Sequence, residues 1–60
     1  MLDHLPKDPM LCLSVVNTKL RDQYRNLDML CEDLHIDKNE LIAKLAIIDY
    51  AYDMDTNQFI

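Results

Sequence analysis

Three groups of side chains have the types and spacing that chemistry needs. Cys31 and His35 stand four residues apart, so one helix face would present both, and His4 with Cys12 would complete a two-Cys, two-His metal set. The close Cys pair and close His pair of zinc modules are missing, and Cys31 also occupies an apolar stripe. Two reduced, buried thiols and a surface imidazole near a helix C-terminus are expected instead, with no metal and no cofactor. Asp53 and Asp55 form a carboxylate pair on a turn-rich segment, but EF-hand spacing and its glycine are absent. Ser14 has no adjacent His or Lys, and no glycine-rich phosphate loop exists because the chain has no glycine. Sixty residues also leave little room for a concave pocket of typical size, so no enzymatic activity is expected.

The strongest geometric pattern lies in residues 27–45. Leu27, Leu30, Cys31 and Leu34 mark one helical stripe, Ile36 sits in a turn, and Leu41, Leu45 and Ile48 mark the next stripe. This is helix-turn-helix spacing, which fixes geometry and says nothing about ligand. A recognition helix needs Arg, Lys, Asn or Gln near its start and cations for phosphates. Here the start offers Lys38 and Asn39 beside Asp37 and Glu40, and no Arg follows position 25.

Net charge is −5, and it is uneven. Residues 1–25 hold Lys7, Lys19, Arg21 and Arg25 against Asp3, Asp8 and Asp22, a net of +1, while residues 26–60 come to −6. Nucleic-acid affinity comes largely from cations on phosphates, so a nucleic-acid partner is not favoured. The alternative remains a transcriptional regulator that contacts DNA through Lys19, Arg21, Arg25 and Lys38.

The elements that must position these groups follow from local signals. Asp8-Pro9 starts a first helix, with Asp as N-cap and Pro where its missing N–H costs nothing, and the helix is expected over about 8–24. Leu13, Val16, Leu20 and Tyr24 form its core stripe, while Leu11 and Val15 point to the opposite side. Asn26 caps a second helix over about 27–35. Asp37 to Glu40 reads as a capping box for a third over about 38–48. Tyr50-Ala51-Tyr52 alternates like a strand, Asp53 to Asn57 is turn-rich, and Gln58-Phe59-Ile60 can return, giving a hairpin over about 50–60 with Tyr50 and Tyr52 on one face. The expected fold is mainly α: a three-helix, helix-turn-helix-like bundle with a short C-terminal β-hairpin, resembling a miniature winged helix, in one domain over 1–60.

A chain this short buries only about 60% of its unfolded surface and is marginal alone. Half its residues are apolar, so it can form a core, and surplus apolar side chains remain on two helices. Leu11 and Val15 of the first helix, or Ile42, Ala46 and Ile47 of the third, are the interface candidates. Asn17, on the core stripe, must find a partner if buried, such as the hairpin backbone or a helix end. Arg21, one turn on, can reach an acidic group of the third helix or the C-terminus. Without glycine, left-handed backbone positions fall to Asn or Asp. No membrane span or secretory leader is expected, and the location expected is the cytoplasm.

Leu5-Pro6-Lys7-Asp8-Pro9, Val16-Asn17-Thr18-Lys19-Leu20-Arg21-Asp22, Leu27-Asp28-Met29-Leu30-Cys31-Glu32-Asp33-Leu34, Tyr50-Ala51-Tyr52-Asp53 and Asn57-Gln58-Phe59 resemble a family of short bacterial proteins catalogued as a domain of unknown function. The resemblance spans residues 5–60 and implies a small bacterial intracellular protein, with no activity or catalytic residue to carry over. Asp49 stands where family-like sequences tend to have Gly, and Met29 where an acidic residue is usual. Taken together, the residues indicate a small non-enzymatic protein-interaction module whose first expected partner is a second copy of itself.

Overall fold

The computed structural model describes residues 5–60. Helix α1 runs Pro9–Asp22, α2 Leu27–Leu34 and α3 Lys38–Ala46, followed by strands β1 Tyr52–Asp53 and β2 Gln58–Phe59. The strands form a two-stranded antiparallel hairpin with Tyr52 opposite Phe59 and Asp53 opposite Gln58. The fold is therefore the expected one, three helices closed by a C-terminal hairpin.

All three helix starts use a side-chain cap. The Asp8 carboxylate accepts from the Leu11 N–H at 3.1 Å, and Asn26 Oδ1 accepts from Met29 N–H at 2.8 Å. Asp37 Oδ1 accepts from both Asn39 and Glu40 N–H, at 2.8 and 3.2 Å. Each cap satisfies amide donors that a helix start leaves unpaired. The reciprocal half of the capping box is not formed: Glu40 stays exposed and makes no bond back to Asp37.

The helix ends differ from expectation. α1 stops at Asp22, so Tyr24 lies past it, half-buried, with its hydroxyl donating to Asp33. That bond pushes the Tyr24 phenol above its ordinary pKa. α3 stops at Ala46, two residues early, because Asp49 turns left-handed at φ 65° and Tyr50 N–H returns to the Leu45 carbonyl at 3.0 Å. Tyr50 thereby caps a helix instead of entering a strand, and the ladder begins at the Ala51–Ile60 bonds.

Among the described residues three take positive φ: His35 at 55°, Asp49 at 65° and Asn57 at 53°. Asp49 and Asn57 are the residue types expected in a chain without glycine. His35 is the surprise. It ends α2 left-handed while Ile36 N–H bonds the Cys31 carbonyl at 2.9 Å, a Schellman-type close. A Cβ in this region costs about 1–2 kcal/mol. His35→Gly and Asp49→Gly should each raise the unfolding free energy by about 0.5–1 kcal/mol in urea denaturation, and a loss of stability in both would contradict this account.

The core gathers Leu13, Val16 and Leu20 of α1, Leu27 and Leu30 of α2, Leu41 and Leu45 of α3, and Phe59 of β2. Cys12, Cys31, Ile36 and Leu5 complete it. Leu5 pins the segment before α1, and Lys44 Nζ donates to the Pro6 carbonyl at 2.8 Å, tying that segment to α3. Among the described residues no helix is long and apolar enough to cross a membrane.

Candidate functional site: the seam between the first helix and the hairpin

A two-stranded hairpin is not stable alone in water and must be held by its neighbours. Two asparagines hold this one. Asn17 Nδ2 donates to the Phe59 carbonyl at 3.1 Å, and Phe59 N–H donates to Asn17 Oδ1 at 2.8 Å. The side-chain amide thus mimics the peptide of a third strand along the outer edge of β2. Asn57 works in the other direction. Its Nδ2 donates to the Leu20 and Tyr24 carbonyls, both at 2.9 Å, closing the C-terminal end of α1. Its Oδ1 accepts from the Tyr52 hydroxyl at 2.6 Å, and that hydroxyl accepts in turn from Leu27 N–H at 3.3 Å. One chain of bonds therefore joins the end of α1, the hairpin and the start of α2. The Tyr52 ring also packs at a tilt on Phe59, with centroids 5.6 Å apart.

Beside this seam runs an open groove of about 640 Å³, lined among others by Ser14, Thr18 and Arg21 of α1 and by Tyr50, Thr56 and Gln58. Arg21 does not reach the third helix or the C-terminus. Its guanidinium makes two bonds to the neighbouring Asp22, at 2.9 and 3.1 Å, with both side chains largely in water. The pair holds the Asp22 carboxyl below its usual range and raises Arg21. An exposed pair of this kind contributes little to stability. Arg21 fails its sequence expectation because Asp22 is nearer than any acid on another element.

The interface candidates separate into two sets. Leu11 is 60% exposed and Ile47 75%, and Ala46 is exposed beside Ile47. Val15 and Ile42 are half-buried and pack against the core, so they brace the monomer as well as border its surface. α1 and α3 pack against each other, so Leu11 and Val15 lie on one of two adjoining helices, Ile42 and Ala46 on the other, and Ile47 just past its end.

The metal-like pairing of Cys31 and His35 is split by the fold. Cys31 is buried, His35 stands exposed at the left-handed end of α2, and His4 lies outside the described residues. No group of three or more potential ligands gathers among the described residues. Cys12 and Cys31 are free thiols, and burial pushes both above their ordinary pKa. Both should resist an aromatic disulfide reagent at pH 8 and react only at the rate of global unfolding. Fast labelling of either in the folded protein would contradict their burial. The Asp53 carboxylate accepts from the Asp55 N–H and the Thr56 hydroxyl, folding the turn.

Sequence reasoning missed Asn57, Tyr52 and Lys44. A signal existed for Asn57, because a glycine-free hairpin turn needs a residue that tolerates positive φ. Nothing local marked Tyr52 or Lys44, whose partners are 25 and 38 residues away.

The fold and seam define a small helical domain locked by a polar hairpin clasp. The chain belongs to the family described as Domain of unknown function (DUF4250), whose model matches residues 6–59. No match was found among curated proteins or among solved structures.

Proposed function

We propose that the protein is a non-enzymatic interaction module that works as a homodimer in the cytoplasm. The observation that carries this reading is the exposure of Leu11 on α1 and of Ile47 just past the end of α3, two helices that pack together. Large apolar side chains in such positions gain free energy when a second surface covers them, at about 25 cal/mol per Å² removed from water. A self-complementary patch forms a closed two-fold dimer. Val15, Ile42 and Ala46 complete the proposed contact. The distribution of cations supports a protein partner over DNA. Lys38 is paired with Asp28 at 2.7 Å, Lys44 is bound to the Pro6 carbonyl, and Arg21 is held by Asp22. Half of the six cations are thus engaged within the molecule.

Light scattering on a sizing column at two concentrations tests the reading. A mass of twice 7.1 kDa is expected for the native chain. Ile47→Asp should yield a folded monomer, because Ile47 is so exposed that the substitution hardly touches the core. Val15→Asp should destabilise the monomer as well. A native chain that runs as a monomer at both concentrations, or an Ile47→Asp variant that stays dimeric, would remove the proposal.

A further inference from the structure

The hairpin has one closed edge and one open edge. Ala51 and Ile60 exchange both backbone bonds, at 3.0 and 2.9 Å. The adjacent Tyr52–Phe59 pair is therefore the one whose N–H and C=O groups turn away from each other, toward opposite edges. Asn17 takes those of Phe59. Those of Tyr52 meet no protein partner among the described residues. Free groups on a strand edge offer an anchoring point for an added strand, here at one residue, because the Tyr50 N–H already bonds the Leu45 carbonyl. Beside it lies a groove of about 290 Å³, walled by Tyr52 and Met54 of the hairpin and by Arg25, Leu27, Asp28 and Lys38. Met54 is 81% exposed. Asp28 and Lys38 neutralise each other, while Arg25 is exposed and has no ion pair among the described residues. The groove therefore carries a local positive charge on a chain of net −5.

We propose that the β1 edge is a docking site for an extended peptide segment with acidic side chains. The segment adds as a third strand at Tyr52, takes up its free N–H and C=O, and sets a carboxylate against Arg25. Met54, flexible and polarisable, adapts to the apolar side chains that alternate with the acidic ones. The site is independent of the proposed dimer face on α1 and α3.

The test titrates the isotope-labelled full chain with a capped hexapeptide alternating aspartate and valine, and with its lysine–valine counterpart, followed by amide NMR. Saturable shifts at Tyr52 and Met54, with slowed exchange of the Tyr52 amide, are expected for the aspartate peptide alone. Arg25→Glu, and N-methylation of the Tyr52 amide in chemically synthesised protein, should each weaken binding by about threefold to tenfold. The Arg25 variant changes only a surface side chain, so it stays informative if the methylated chain unfolds. Three outcomes would each overturn the proposal. One is an unmoved Tyr52 amide at millimolar peptide, and another is equal binding of the lysine peptide. The third is a set of shifts at Tyr52 and Met54, as distinct from any on α1 and α3, that appear on concentrating the protein without peptide, which would give the edge to a second copy.

Discussion

Asn57→Ala should lose about 3–4 kcal/mol of stability, the largest effect of any substitution considered. Two causes add. The side chain makes three bonds, to the Leu20 and Tyr24 carbonyls and from the Tyr52 hydroxyl, each worth about 1 kcal/mol net. Its backbone stands at φ 53°, where alanine costs about 1 kcal/mol more than asparagine or glycine. A domain of this size holds about 3–5 kcal/mol in all. The variant should therefore sit near its unfolding midpoint at 25 °C, with β1 and β2 losing hydrogen-exchange protection first. Asn57→Gly separates the causes, because it keeps the backbone and removes only the bonds, and should be more stable than the alanine variant by about 1 kcal/mol. An alanine variant within about 0.5 kcal/mol of the native chain would show that water replaces the clasp at no cost.

Asn17→Leu should cost about 2–3 kcal/mol, the second largest effect. Leucine is similar in size and apolar, so burial itself is not lost. The cost arises because Phe59 N–H and C=O keep their half-buried place and lose both partners. Phe59 is almost completely buried, so its backbone cannot swing out to water without withdrawing the ring from the core. The variant should therefore loosen packing as well as stability, with broadened NMR signals across the hairpin. Asn17→Asp gives an intermediate case: its carboxylate still accepts from Phe59 N–H but cannot donate to the carbonyl. A sharp, well-dispersed spectrum and unchanged urea midpoint for Asn17→Leu would refute the clasp model of the hairpin.

Much of the fold was legible before any contact was known. The caps Asp8, Asn26 and Asp37 act within three residues of themselves, so their chemistry is written locally. The stripes that follow from helical period alone are buried at Leu13, Val16, Leu20, Leu27, Leu30, Cys31, Leu41 and Leu45, while Tyr24, Leu34 and Ile48 at their ends are half-buried. A partner for Asn17 on the hairpin backbone was one of the options its position allowed. The failures share a cause. Arg21 is within reach of acids on other elements by spacing alone, yet it pairs with the adjacent Asp22, because spacing cannot rank competing partners. His35 was not expected in a left-handed turn, because its type gave little sign that the backbone would be forced there to end α2.

The number of helices, their starts, their inward faces and the demand that something other than glycine take the positive-φ positions were all readable along the chain. These depend on forces that act within a few residues. Only the tertiary structure decided that Asn17 closes one edge of the hairpin, that Asn57 and Tyr52 tie it to two helix ends, and that Leu11 and Ile47 are left uncovered. Those outcomes depend on groups 25 to 42 residues apart arriving at hydrogen-bonding distance, and on which surfaces the core has no room to cover. Separations of that size are set by the packing of whole elements, and no short stretch of sequence carries them.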